Sequence, residues 1–219
     1  MEEIIYSKNM AQSKLRERNV VIGDNVEIGT NVKIFPNVCI LGNSKIGDDV
    51  VIKSNSVIED CIVEDAVEIC SSFVNGSVIK KSAKIGPFAN IRAVSNIGEN
   101  CKIGNFVEIK NSTLGNNTKV SHLAYVGDAE IGEHCNIGCG VIFCNYNGKE
   151  KLKSKVGNFS FIGSNCNIVS PVKIGNYAFI AAGSTITKEV ADDEFAIARE
   201  RQTNKSNFKN PYKEKFNKN

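Results

Sequence analysis

The apolar residues of this chain keep to a step of six. Ile22, Ile28, Ile34, Ile40, Ile46, Ile52 and Ile58 form one unbroken ladder, and Ile79, Ile85, Ile91, Ile97, Ile103 and Ile109 a second. A third starts at Val156 and runs through Ile162, Ile168, Ile174, Ile180 and Ile186. An amphipathic helix repeats every 3.6 residues and a strand every two, so neither explains the pattern. Six is the period of the hexapeptide solenoid, in which each repeat lays one flat side of a coil. The expected fold is therefore all-β, a left-handed parallel β-helix with coils stacked about 4.8 Å apart. The Ile ladders should fill its interior, with Asp24, Asn25, Lys45 and Glu99 facing water. Gly directly follows the ladder residue at Gly23, Gly47, Gly98, Gly104, Gly138 and Gly163. The expected reason is a corner with positive φ, which Gly adopts without steric cost.

The ladder also marks the boundaries. Steps of five at Val63, Val74, Leu114 and Ile131 read as shortened repeats, so residues 20–190 are expected to form one continuous solenoid. Residues 1–19 carry no six-residue period, and the helix formers of Ser7–Asn19 predict a short helix before the first coil. Residues 144–155, CNYNGKEKLKSK, lack the ladder and hold a turn signal at Asn147–Gly148. Insertions in solenoids leave the coil on one face and often bind ligands. Residues 191–219 read as a basic tail; from Arg199 onward they hold seven Lys or Arg against two acidic residues, the pattern of a solvated end.

Composition narrows the function. A net charge of +3 over 219 residues gives no reason to expect nucleic-acid binding. No leader-like stretch or membrane-length apolar run is present, so the expected compartment is the cytoplasm. The eight cysteines contain no CxxC pair and read as reduced, small fillers of the coil. Cys135, Cys139 and Cys144 match no common zinc spacing, so no metal is expected. There are two histidines, His122 and His134. That is one too few for the three-histidine zinc site of γ-type carbonic anhydrases. His122, in KVSHLAYVGDAEIG, lies beside a corner among small residues and suits a proton acceptor near neutral pH.

The strings IGPFANIR, GNFVEIKN, SHLAYVGDAEIGEHCNIGCG, CNYNG with Lys151, and IAAGSTIT leading to AIARERQ occur in this order between residues 85 and 202. Over that stretch the chain resembles the C-terminal acetyltransferase domain of GlmU. That family combines N-acetylglucosamine-1-phosphate uridyltransferase and glucosamine-1-phosphate N-acetyltransferase activities. The resemblance implies acetyl transfer from acetyl-CoA, as co-substrate, to the amine of glucosamine 1-phosphate, a step toward UDP-N-acetylglucosamine. It implies His122 as general base and Arg92 and Lys110 as holders of the sugar phosphate. Tyr125, Asn136 and Lys151 are implied as further sugar contacts. Asn145 and Tyr146 are implied at the junction with acetyl-CoA, and Cys139, Ser164, Ala182 and Arg199 along it. It also implies a homotrimer with sites between subunits.

The chain departs from the family pattern in places. No stretch like the uridyltransferase half precedes the repeats, so uridyl transfer is not expected, and a separate uridyltransferase is the partner such a pathway needs. Ala93-Val94 follow Arg92 where Pro-Gly is usual, and Asn111 replaces a second basic residue. Cys139 stands at a usual Ala, and Ala124 at a usual Thr. An alternative acceptor is another amino sugar, free or nucleotide-linked, with Arg92 and Lys110 meeting a diphosphate. A catalytically silent solenoid would be expected to lack the base or the loop cations, yet His122 and Lys151 are present.

Overall fold

A computed structural model describes residues 4–6 and 17–206. Three sheets of eleven, ten and nine short strands form the walls of a prism. The first wall contains strands such as Lys33–Ile34, Lys102–Asn105 and Asn136–Ile137. The second contains Asn90–Arg92, Glu108–Lys110 and Tyr125–Gly127, and the third Asn96–Ile97, Ala129–Ile131 and Ser154–Val156. Apart from that of Ile4–Ile5 with Lys33–Ile34, every strand pairing among the described residues is parallel and joins equivalent strands of successive coils.

The register explains the ladder. In the second wall Ile40, Ile58, Val74, Ile91, Ile109 and Val126 stack one on the next. Ile34, Ile52, Ile69, Ile85 and Ile103 do so in the first, and Ile46, Val63, Ile79, Ile97, Leu114 and Ile131 in the third. These side chains are almost completely buried. Each contributes about 1.5–3 kcal/mol of hydrophobic stabilisation. Asp24, Asn25, Lys45 and Glu99 are exposed, as the pattern predicts. Outside the coil that carries the insertion, residues one coil apart are 16 to 18 positions apart: Ile58 pairs with Val74, Asn105 with His122 and Arg92 with Lys110.

The glycines after the ladder residues serve a different purpose from the one expected. None of Gly23, Gly47, Gly98, Gly104, Gly138 and Gly163 has positive φ. The left-handed corners are held largely by Asn and Asp, such as Asn31, Asp49, Asn100 and Asn117, which tolerate that conformation. What Gly98 provides is room. A Cβ there would lie 2.7 Å from the carbonyl carbon of Gly115 on the next coil. At Gly98 coil spacing, rather than backbone torsion, selects glycine.

The ends differ from the sequence reading as well. Ile4–Ile5 form a strand antiparallel to Lys33–Ile34, and Ile4 is buried. Of the expected helix at Ser7–Asn19, residues 7–16 lie outside the described residues and 17–19 form a turn. At the other end the coil continues past Val190 into the stretch expected as tail. Phe195–Ala196 add a strand to the first wall, and Ala196 covers Ile180. Among the described residues no helix is long and apolar enough to cross a membrane.

Candidate functional site

One corner, between the first and second walls, carries a vertical column of exposed residues. His122, Cys139, Ser164 and Ala182 each precede a residue with positive φ: Leu123, Gly140, Asn165 and Gly183. Backbone hydrogen bonds stack these corners. Gly140 N–H donates to Leu123 O (2.8 Å), Asn165 N–H to Cys139 O (2.7 Å) and Gly183 N–H to Ser164 O (2.8 Å). Three coil steps from His122 to Ala182 span about 14 Å. Below His122 the column has small side chains only. At its foot Arg199 lies against the backbone of Gly183, where a Cβ would sit 3.7 Å from its Cδ. Asn136 projects half-buried from the first wall, paired in register with Lys119.

At the head of the column, His122 Nδ1 is 3.0 Å from Asn105 Oδ1 on the preceding coil. An amide oxygen can only accept, so Nδ1 carries the hydrogen and Nε2 keeps its lone pair for an incoming proton. His134 is placed differently. It stacks on Phe159 at 5.0 Å, and Phe159 on Tyr177 at 5.0 Å, at the corner between the third and first walls.

Across the second wall, at its edge with the third, lies a cation cluster. Arg92 sits directly over Lys110, and Lys110 over Gly127. Arg92 donates through Nε (2.9 Å) and Nη2 (2.6 Å) to Glu108 Oε1. Lys110 Nζ is 3.4 Å from Asp128 Oδ2, with the two side chains only 13% and 10% exposed. A hydrogen bond between Lys110 and Lys151 raises the first amine's pKa above its ordinary value and lowers the second's. The nearby Arg92 charge lowers Lys151 further. Three cations converging on so few acids make a ready anion site.

Asp128 organises this edge. Its Oδ1 accepts from Asn111 Nδ2 (2.6 Å) and its Oδ2 from Asn145 Nδ2 (2.5 Å). Burial pushes its pKa up, but the bonds from Asn111 and Asn145 and the Lys110 charge outweigh this and hold it below the ordinary value. Asn145 Nδ2 is also 3.3 Å from the Tyr125 hydroxyl. Gly127 permits the arrangement, since a Cβ there would fall 2.4 Å from Tyr125 Oη and 2.7 Å from Asn145 Nδ2.

The inserted segment is a small hairpin. Asn147 Oδ1 accepts from the backbone N–H groups of Lys149 and Glu150 (both 2.9 Å), an Asx turn closed by Gly148 at φ +95°. Tyr146 pairs antiparallel with Lys151, and Leu152 N–H donates to Asn145 O (2.7 Å). The hairpin thereby returns Lys151 to the cluster. Two of its other lysines serve elsewhere. Lys153 and Lys155 bind Glu130 on the third wall at 2.9 and 2.8 Å, and their hydrogen bonds draw its carboxyl down to about 2.

The residues named from sequence thus fall into two groups. Arg92, Lys110, Tyr125, Asn145 and Lys151 meet at one edge of the second wall, with Tyr146 in the hairpin beside them. His122, Cys139, Ser164, Ala182 and Arg199 line the other edge, with Asn136 on the first wall. Within one chain the groups do not meet. Sequence reasoning missed Asp128, Glu108 and Asn105, and noted Asn111 only as the replacement of a basic residue. The signal was the coil length, because Lys110 and Asp128 are 18 residues apart and Asn105 and His122 are 17 apart.

Residues 25–60 and 153–188 match the model described as bacterial transferase hexapeptide (six repeats), and residues 73–148 match that of the GMPPB C-terminal domain. The bifunctional protein GlmU of Clostridium kluyveri is 48% identical over 190 residues, covering 87% of this chain and 42% of its own length. The chain is similar to the GlmU proteins and carries bacterial transferase hexapeptide repeats. GlmU of Clostridium acetobutylicum aligns over 95% of the chain at 46% identity, and over 46% of its own length. The chain therefore spans less than half of these GlmU relatives. Among solved structures, a UDP-N-acetylglucosamine acyltransferase from Campylobacter jejuni superposes with a TM-score of 0.66 at 17% identity, covering 82% of this chain and 70% of that one. LpxA from Bacteroides fragilis, also a UDP-N-acetylglucosamine acyltransferase, gives 0.54 at 22% identity over 78% of this chain and 66% of its own. At these identities the likeness is one of fold.

Proposed function

We propose that the chain transfers the acetyl group of acetyl-CoA to the amine of glucosamine 1-phosphate, giving N-acetylglucosamine 1-phosphate in the cytoplasm. The observation that carries this reading is His122, with Nε2 free to accept, at the head of a column of small residues on a GlmU-like chain. The column suits an extended thioester arm: Cys139, Ser164 and Ala182 leave room along it, and Arg199 meets a phosphate at its foot. His122 Nε2 takes a proton from the sugar amine as the nitrogen attacks the thioester carbonyl. The C–N bond forms, the C–S bond breaks, and the imidazolium returns its proton to the departing CoA sulfur. Such a base contributes about 10²–10⁴-fold in rate.

Lys110, Lys151 and Arg92 bind the sugar phosphate, and its negative charge favours the protonated form of both amines. Tyr125, Asn145 and Asn136 orient the ring, and Tyr146 borders the thioester. In glucosamine 1-phosphate the amine and the phosphate stand on neighbouring carbons, so base and cations must approach within one sugar ring. In a single chain the strand Tyr125–Gly127 and a corner separate them, a strand length of about 7–10 Å. A second copy resolves this by setting its cation edge against the His122 corner. A closed homotrimer repeats that contact three times.

The test is CoA release, read by a thiol assay, with glucosamine 1-phosphate, glucosamine 6-phosphate, glucosamine and a UDP-linked amino sugar side by side. Strong preference for the 1-phosphate, lost in His122→Ala, is the expected result. Preference for the nucleotide-linked sugar keeps the chemistry and overturns the acceptor, and no release with any of the four overturns the reading. Mixing inactive His122→Ala and Lys110→Ala subunits should restore part of the activity, because some interfaces then join an intact base to intact cations. No restoration would refute the shared site.

A further inference from the structure

We infer that Asn105 is a positioning residue, built into the first wall to fix which nitrogen of His122 carries the proton. This rests on His122 acting as the base in the reaction proposed above. Nine of the eleven first-wall strands are two residues long, whereas Lys102–Asn105 and Lys119–His122 run to four. The extra length carries the pairing outward from the buried Ile103 and Val120 until Asn105 stands in register with His122. Gly104 lets the strands close up. A Cβ on it would fall 1.7 Å from Ser121 O, the shortest approach of any glycine among the described residues. Beyond the pair, Leu123 N–H donates to Asn105 O at 2.9 Å and holds the two backbones together.

The chemistry follows from the acceptor. An imidazole that donates through Nδ1 has its lone pair on Nε2, while one that donates through Nε2 cannot take a proton there. Asn105 Oδ1, 3.0 Å from Nδ1, selects the first form and fixes the ring plane. The amide does this without adding a charge beside the imidazole. Its effect is on the fraction of His122 in the productive tautomer and orientation, so it appears in kcat rather than in substrate binding.

The chain has only two histidines, which makes the tautomer directly readable. The experiment is nitrogen-15 NMR of histidine-labelled protein, with His122→Gln assigning the His122 signals. The expected result is an Nδ1–H ring at His122 in the parent protein. In Asn105→Ala it should become mainly Nε2–H, with kcat down about 10–100-fold, the scale for losing an orienting partner of a functional histidine, and KM for both substrates little changed. Asn105→Asp keeps an acceptor at the same place and should retain the Nδ1–H form. Its added carboxylate favours the imidazolium, so the acid limb of its kcat/KM profile should move to higher pH. Thermal melting of each variant separates a folding defect from a positioning one. An Nε2–H ring in the parent, or an unchanged tautomer and kcat in folded Asn105→Ala, would overturn the inference. The tautomer readout needs no substrate, so it stands or falls apart from the proposed acceptor.

Discussion

Asp128→Asn tests how much of the cation edge depends on one buried carboxylate. The substitution keeps the side chain's size and removes its charge. Asp128 is 10% exposed, accepts from Asn111 and Asn145, and faces Lys110 at 3.4 Å. A hydrogen bond to a charged group contributes about 1.5–3 kcal/mol against about 0.5–1.5 for a neutral one, so making two of them neutral costs about 2 kcal/mol. The new amide also turns an NH2 toward one of the two existing donors, and an unpaired buried donor costs about 1–3 kcal/mol more. The expected loss at pH 7 is therefore about 3–5 kcal/mol, read from urea midpoints and slopes. The pH dependence supplies a second check. The native carboxyl titrates below 3.8, so its contribution is complete above the unfolded value and disappears as pH falls through the native one. The gap between parent and variant should hold from pH 7 to about 4 and close below that. A gap under about 0.5 kcal/mol at pH 7, the scale of an ordinary surface substitution, would refute the assignment. So would a gap that persists unchanged to pH 3.

Three other outcomes follow from the same geometry. Gly98→Ala drives a Cβ to 2.7 Å from the backbone of Gly115 and should lower stability by about 1–3 kcal/mol, whereas Gly23→Ala, with nothing nearer than 3.6 Å, should be close to neutral in thermal melts. Glu130→Gln should matter little at pH 7, by at most about 1 kcal/mol, because the carboxylate and its two lysines are well exposed. Its carboxyl titrates at about 2 instead of 4.5, so that small advantage should fade between those values as pH falls, and should also shrink in high salt. Lys151→Met should raise KM for the phosphorylated sugar, while Lys153→Met should leave it unchanged because Lys153 is engaged by Glu130. Equal effects from the two would mean that the hairpin acts only through its overall charge.

The walls were legible because a buried apolar residue, most often Ile, recurs wherever the chain crosses the interior, and that rule holds from Ile34 to Ile186. Ile4–Ile5 were not, since two apolar residues carry no period and pair antiparallel to the coil. The glycines were legible as necessary but for the wrong reason: at Gly98 the obstacle is the neighbouring coil, which no local torsion rule describes. For the site, Arg92, Lys110 and Lys151 stood out by charge and by family resemblance. Asp128 did not, because an acid at a corner resembles the many solvated ones, and only its burial between Lys110 and Asn145 sets it apart. Asn105 was hidden by abundance, since Asn occupies corner after corner and nothing local marks the one facing His122.

The corner column turns the solenoid into a ruler. Positions along the axis change only in whole coils, about 4.8 Å at a time, because a smaller change would take the Ile ladder out of register. The distance from His122 to Ala182 is therefore graduated rather than continuously adjustable, and so is the length of any arm laid along it. Exchanging Cys139 for a smaller or larger residue can alter the fit of such an arm at one graduation. Changing its length requires the gain or loss of a full turn. A chain of this design can diversify at its corners and in its hairpin while the reach between its two ends stays fixed.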